Sequence, residues 1–345
     1  MLCVNRAIFY IAIYEGNVIP DSIQQAFNLC AERAYKAFPN ELRNFVLLSD
    51  ALDQPLYVSP DISAFLQENI EALQKSIQEV SRTMRVRNAV GVAYRAYSMA
   101  KKTTALIGLR NNPPGFYTEN YTGEMRAHYV LEHEIGHRVV EQGFAGGHLG
   151  ECAADAYATL RHIQSFGQNT DLFENAAKAY SMVLGGSSIH YTQSVFNAVK
   201  DYAKENDVSK LSLVETSELA NQIAIEHQLD ADVLRKIQDA FQPAHAAFRE
   251  QIGDKIKVTE KYYAEDKDAY ALFCHETFVV IQDHIDDPDI VKTGKEFLNT
   301  PPVKKFILES AAQSCEWQKI ADFLQGDTAK SKPIKRQKMQ QSALR

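Results

Sequence analysis

The residues with the clearest chemical content are His133, Glu134 and His137, which form the sequence H-E-I-G-H. On an α-helix, two residues four positions apart are separated by about 400° of rotation and about 6 Å of rise, so both imidazoles project from one face. One zinc ion can bind both, since zinc accepts ring nitrogens at about 2.0–2.1 Å. Glu134 lies beside the first histidine and can act as general base on a zinc-activated water. The pattern predicts a metal-dependent hydrolase with one Zn²⁺ per chain.

A catalytic zinc usually has three protein ligands and one water, so a third ligand is expected further along the chain. A glycine-rich stretch, 143–150, leads into a predicted helix in which Glu151 and Asp155 share one face. We expect Glu151 to be the third ligand. We expect Asp155 to accept a hydrogen bond from the outer N–H of a ligating histidine. His148 is the rival third ligand, and direct ligation by Asp155 is a further alternative.

Hydrolysis of an amide also benefits from a hydrogen-bond donor directed at the negative charge that develops on the carbonyl oxygen. Two candidates follow the sequence G-G-S-S-I, namely His190 and Tyr191. Their side-chain types and their predicted position between a loop and a helix are the reasons for this choice.

The sequence H-E-I-G-H, followed 14 residues later by E-x-x-A-D, resembles the zincin superfamily of zinc metallopeptidases. Within it, the match is to the gluzincin pattern, in which a glutamate on a following helix completes the zinc site. The E-x-x-A-D part is similar to that of the CAAX-prenyl-protease-like metallopeptidases, which are membrane proteins. The resemblance covers about 30 residues and implies a zincin-like core that hydrolyses peptide bonds in a peptide or protein substrate. One departure is Arg138, since zincins normally carry an uncharged residue after the second histidine.

Two other functions are compatible with the same residues. One is a catalytically silent, zinc-bound module that uses its cleft for protein recognition. The other is a metal-dependent hydrolase that acts on a non-peptide amide. Glu134 favours catalysis over silent binding, because a purely structural zinc site does not require an acid at that position.

Composition narrows the class of protein. The chain has 345 residues, of which 45% are hydrophobic, so it can form a substantial core. Its formal net charge of −7 gives no general attraction to phosphate backbones, and nucleic-acid binding is not expected. Five cysteines, none in a C-x-x-C pair, argue against a disulfide framework. The sequence predicts nothing about the oligomeric state.

The longest apolar run, Ala7–Tyr14, is far shorter than the roughly 20 residues that cross a bilayer. No integral membrane segment is therefore expected. We interpret this run as a buried strand, because the polar residues that follow do not form a signal-peptide cleavage site. A cytoplasmic location is the default expectation, with export by a route that needs no signal peptide as the alternative.

Residue periodicity predicts a mainly helical α+β fold with a zincin-like metallopeptidase core and a helical C-terminal lobe. The predicted domains are an N-terminal α/β lobe at 1–122, metal-site helices at 123–170, a helical lobe at 171–325 and a basic disordered tail at 326–345. In the first lobe the predicted strands are 7–14, 44–48, 56–59 and 103–109, and the predicted helices are 21–38 and 61–84. Beyond it, helices are predicted at 124–142, 151–166, 171–184, 189–205, 214–227, 230–251, 266–285 and 303–324.

Overall fold

The computed structural model of the chain describes residues 21–43, 45–49, 56–61, 91–97, 103–109, 120–172, 188–252, 267–299, 301–312 and 314–326. Over these ranges the protein is mainly helical with one small sheet, in agreement with the predicted α+β class. Four predicted segments lie wholly or almost wholly outside the described residues: the strand 7–14, the helices 61–84 and 171–184, and the tail 326–345. No helix in the described ranges has the length and hydropathy needed to cross a membrane.

The N-terminal part combines one helix with a four-stranded sheet. The elements are α1 (Asp21–Ala37), β1 (Val46–Ser49), β2 (Tyr57–Val58), β3 (Gly91–Tyr97) and β4 (Thr103–Leu109). The described strands are ordered β2-β1-β4-β3, with β1 parallel to β4 and the two outer pairs antiparallel. Strand β3 was not predicted from the sequence.

The central part contains the two helices that carry the H-E-I-G-H and E-x-x-A-D sequences. Helix α2 spans Gly123–Val139 and is capped by Thr122, whose hydroxyl accepts a hydrogen bond from the Met125 N–H. A 3-10 turn at Glu141–Phe144 follows, and α3 then spans Gly147–Phe166. Helix α2 lies against both α3 and the β3–β4 pair, so the sheet supports the helix that carries the two histidines.

The remaining part is helical. A 3-10 turn at Ser188–His190 precedes α4 (Gln193–Glu205), α5 (Leu213–His227), α6 (Ala231–Ile252), α7 (Lys267–Asp283), α8 (Pro288–Leu298), α9 (Pro301–Ala311) and α10 (Cys315–Gln325). Helix α8 was not predicted, although Asp287 caps it and Pro288 occupies its first turn. The prediction of one helix over 303–324 was wrong, because Ser314 caps a separate helix, α10.

Two large apolar cores and one smaller cluster around Tyr121 and Phe196 hold the described elements together. The first joins α1, the sheet, α2, α3, α4 and α5, with members such as Phe45, Leu131 and Val199. The second joins α6 to α10, with members such as Phe241, Phe278 and Phe297. Tyr191, in the connection before α4, belongs to the second core. The first core crosses the sequence-predicted boundaries at 122/123 and 170/171.

Candidate metal centre

The side chains of His133, His137 and Glu151 meet between α2 and α3. His133 Nε2 lies 3.3 Å from Glu151 Oε2, and His137 Nε2 lies 3.7 Å from Glu151 Oε1. One ligand atom from each residue lies within 4.8 Å of the others. The three residues that the sequence predicted as ligands are therefore brought together as a group that could hold a metal ion.

The outer ring nitrogens of both histidines are held by oxygen atoms. His133 Nδ1 lies 2.7 Å from Asp155 Oδ1, and His137 Nδ1 lies 3.0 Å from the Gly143 carbonyl oxygen. Because these oxygens accept hydrogen bonds, each Nδ1 carries the proton and each Nε2 is the nitrogen directed at Glu151. The Asp155 contact is the one that the sequence predicted for this residue.

Asp155 is itself fixed by two hydroxyl groups that the sequence did not predict. Tyr129 donates to Oδ1 at 2.7 Å, and Thr192 donates to Oδ2 at 2.5 Å. Burial alone would raise the pKa of Asp155, but His133 and the two hydroxyls hold that pKa below its usual value. The carboxylate is thereby kept ionised and oriented toward His133.

The burial and hydrogen bonding of the Glu151 carboxylate make this site suitable for a cation. Its Oε2 is shielded from solvent and makes no hydrogen bond of good geometry, although His133 Nε2 and His190 Nδ1 lie 3.3 and 3.1 Å away. A buried carboxylate oxygen without a well-formed hydrogen bond is costly, and a bound cation would satisfy it. Burial would raise the pKa of Glu151, yet the imidazoles of His133 and His190 lower it.

Close packing of α2 on α3 brings the three ligand residues within reach. A Cβ added to Gly136 would lie 2.9 Å from Ala154 Cα and 3.1 Å from its carbonyl oxygen, so only glycine allows this approach. On the α3 side the sequence predicted that small residues would permit close packing, and these residues are fully buried: Ala153, Ala154, Ala156 and Ala158.

Arg138, which departs from the zincin pattern, is accommodated at the end of α2. It is buried, its guanidinium lies 4.2 Å from the centre of the Phe144 ring, and it donates a hydrogen bond to the Glu41 carbonyl oxygen. A cavity of about 630 Å³ adjoins it, and none of the three ligand residues lines that cavity. The extra charge is therefore held away from the metal centre.

Comparison with known proteins finds no relative of this chain. No family model, no curated protein and no solved structure matches the chain. The chemical interpretation therefore rests on the side chains themselves.

Glu134 lies on α2 directly after His133 and is buried. Helical geometry places its Cβ about 100° around the axis from His133 and about 60° from His137. It is thus next to the ligand face of α2 without belonging to it.

The two predicted oxyanion partners have different positions. His190 reaches the centre: its Nδ1 lies 3.1 Å from Glu151 Oε2, and about half of its side chain is exposed. Tyr191 does not, because its hydroxyl donates to Glu296 at 2.8 Å and lies 3.1 Å from the Thr293 hydroxyl. Adjacent residues in this segment face different helices, which removes Tyr191 as a candidate.

His148, the rival ligand, is engaged elsewhere. Its Nδ1 lies 3.0 Å from the Ile189 carbonyl oxygen, and its Nε2 accepts a hydrogen bond from the Leu229 N–H at 3.2 Å. Both ring nitrogens therefore contact backbone groups rather than the centre, and Nε2 also lies 3.4 Å from Cys152 Sγ. The sequence placed His148 in a flexible turn, whereas α3 begins at Gly147, preceded by Gly146 with a φ of 68°.

A second group of potential ligands, Cys30, His128 and Glu132, was missed in the sequence because it joins α1 to α2. The Cys30 thiol donates to Glu132 at 2.9 Å, and the Arg161 guanidinium lies 3.1 Å from the same oxygen. Since Arg161 already neutralises Glu132, this group is better explained as a buried ion pair between helices than as a metal site. No signal in the sequence marks this contact.

Proposed function

We propose that this protein is a zinc-dependent metallopeptidase whose centre consists of His133, His137 and Glu151. The observation that carries the proposal is the convergence of two imidazoles and one carboxylate beside a buried glutamate. Two histidines and a glutamate are the ligand set of one class of catalytic zinc site, in which a fourth position stays open. The membership of the zincin superfamily and the peptide substrate are part of this proposal and rest on the resemblance of the motifs.

When bound, zinc supplies Lewis-acid polarisation of a water molecule and of the substrate carbonyl. Every other task falls to side chains of the chain. Glu134 accepts the proton of the attacking water and then delivers it to the leaving amine nitrogen. Both transfers need a carboxylate close to the ligand face but outside the ligand set.

His190 is the residue that we assign to the developing negative charge on the carbonyl oxygen. It stands at the rim of the centre with about half of its side chain exposed, so its free ring edge can meet a substrate. The ligand side chains are much less accessible, with exposed fractions of 17% for His133 and His137 and 14% for Glu151. Substrate therefore approaches from the His190 side.

The test replaces Glu134 by Gln, which keeps the size of the side chain and removes its basicity. We expect Glu134→Gln to retain zinc and to lose about 10²- to 10⁴-fold in kcat against a broad library of quenched peptides. The matched control is Glu124→Gln, on the exposed first turn of the same helix. Its activity should equal that of the wild type.

Three results would reject this proposal in distinct ways. A zinc-loaded wild type that cleaves no peptide, including extended ones, would favour the silent recognition module. Cleavage of small amides but not of peptides would favour the non-peptide hydrolase. Unchanged activity of Glu134→Gln would remove Glu134 as the base.

A further inference from the structure

The connection 188–192, here called the His190 segment, lies along one face of α3. Three α3 side chains contact it in order: His148 meets the Ile189 carbonyl, Glu151 meets the His190 ring, and Asp155 accepts a hydrogen bond from Thr192. Positions 148, 151 and 155 are three and four residues apart and therefore lie on one helix face. The face of α3 that supplies the centre also holds the segment that carries His190.

The two ring nitrogens of His148 have complementary tasks. The Ile189 carbonyl oxygen only accepts, so Nδ1 carries the proton, and Nε2 then offers a lone pair to the Leu229 N–H. One neutral tautomer satisfies both contacts. His148 thus joins α3, the His190 segment and the connection between α5 and α6.

We propose that His148 is a positioning residue that holds His190 at the metal centre, an inference that rests on the proposed function. Ile189 and His190 are both exposed, so little apolar burial fixes this turn. The hydrogen bond to the Ile189 carbonyl lies one residue from His190 and restrains its backbone. Pre-set orientation of a reacting group is worth a large factor in rate, and a displacement of about 1 Å can cost about 100-fold.

Tyr191 restrains the same segment independently, through Thr293 and Glu296 of α8. Loss of the His148 contact should therefore loosen the turn without releasing it. This predicts a reduced kcat with an intact fold and an intact metal centre.

The experiment compares two substitutions of His148 that each preserve one of its two hydrogen bonds to the backbone. His148→Asn places an amide N–H near the position of Nδ1 and can still donate to the Ile189 carbonyl. His148→Gln places an amide oxygen near the position of Nε2 and can still accept from the Leu229 N–H. We expect His148→Gln to lower kcat about 10- to 100-fold with KM and zinc content unchanged, and His148→Asn to stay within about threefold of the wild type.

A double-mutant cycle with His190→Ala distinguishes positioning from general stability. If His148 acts through His190, His148→Gln should have little further effect once His190 is alanine. The proposal is overturned if the kcat losses of His148→Gln and His190→Ala multiply in the double variant. It is also overturned if His148→Asn lowers kcat as much as His148→Gln does. Loss of zinc in both variants would also overturn it and would make His148 a ligand.

A readout without activity separates this proposal from the proposed function. In metal-free protein, amide hydrogen exchange should accelerate in 188–192 for His148→Gln, and at Leu229 for His148→Asn. Identical exchange in both variants would reject the positioning role of His148 even if the enzyme is active. If the two variants show the expected exchange changes but the protein cleaves no peptide, the peptidase proposal is rejected and the positioning role of His148 stands.

Discussion

Asp155 determines how the first histidine of the centre is presented. It receives hydrogen bonds from Tyr129 and Thr192, while His133 Nδ1 lies 2.7 Å from its Oδ1. Such outer contacts fix the tautomer and the ring plane of a ligating histidine, and replacing them typically costs 10- to 100-fold in metal affinity or activity. The candidate metal centre therefore extends to a carboxylate outside the group His133, His137 and Glu151.

At this scale we predict that Asp155→Asn lowers zinc affinity by about 10- to 100-fold, because the neutral amide is a weaker acceptor for the His133 N–H. Competition against a chromophoric chelator measures the change. Asp201→Asn, on the exposed surface of α4, is the control and should bind zinc like the wild type. An unchanged affinity in Asp155→Asn would show that the carboxylate does not support the ligand.

A second prediction at the residue scale concerns the third ligand. Glu151→Ala should lower zinc affinity more than Asp155→Asn does, since it removes a donor atom rather than the support of one. His148→Ala should leave zinc affinity within about threefold of the wild type, because both of its ring nitrogens contact backbone groups. The same competition assay compares Glu151→Ala with His148→Ala. A larger loss of zinc affinity in His148→Ala would make His148 the third ligand in place of Glu151.

At the scale of elements, the contact between α2 and α3 determines whether the ligands meet. Gly136 permits an approach in which an added Cβ would lie 2.9 Å from Ala154 Cα. The obstructing atoms belong to the backbone of α3, so a rotamer change cannot make room. One helix must shift away from the other.

We therefore predict that Gly136→Ala destabilises the protein and weakens the metal centre together. Alanine gains about 1 kcal/mol of helix propensity, but overpacking costs about 1–3 kcal/mol and separates Glu151 from the histidines. Urea unfolding in chelator measures the stability, and zinc competition measures the centre. A variant as stable as the wild type with full zinc affinity would contradict the close approach.

The sequence predicted the elements with strong local signals and missed those that depend on distant contacts. The predicted helices 124–142 and 151–166 correspond to α2 and α3, although α2 ends at Val139 and α3 begins earlier, at Gly147. The sequence did not show that the Tyr191 hydroxyl turns toward Glu296, because Glu296 lies 105 residues away and no pattern reveals that contact. His148 was placed in a loop because glycines at 146 and 147, which begin the helix here, usually mark turns.

At the scale of the whole molecule, the connection that contains Tyr191 contacts α3, which belongs to the first core, and α6 and α8, which belong to the second. The core that joins α1 to α5 includes residues of α2 and α3, and the core of α6 to α10 includes the Tyr191 side chain. His190 and Tyr191 thus link the metal centre to the C-terminal helices. Of these two adjacent residues, His190 contacts Glu151 and Tyr191 contacts α8.

Global stability should depend on pH through His162, which is fully buried on α3 and whose Nε2 lies 2.7 Å from the Thr170 hydroxyl. Burial, assisted by His128, lowers the pKa of His162 to about 3. As the pH falls below about 6.5, the unfolded chain takes up this proton before the folded chain does. Its contribution to stability is therefore complete above that pH and is lost as the pH falls toward 3.

We predict that His162→Gln makes unfolding less sensitive to acid. Between pH 7 and pH 5 the metal-free wild type should lose about 2 kcal/mol more unfolding free energy than the variant, since one group that titrates only in the unfolded chain is removed. Urea unfolding at both pH values measures the difference. Equal losses would show that His162 is not held neutral in the folded protein.

The most direct test of the metal centre is elemental analysis of the purified, untagged protein after zinc is supplied and excess zinc is removed. We expect about one equivalent of zinc per chain in the wild type. A variant with alanine at both His133 and His137 should hold far less than one equivalent, with its fold retained by circular dichroism. A wild type that holds no stoichiometric metal, or a double variant that holds as much as the wild type, would contradict the assignment of a zinc site to these residues.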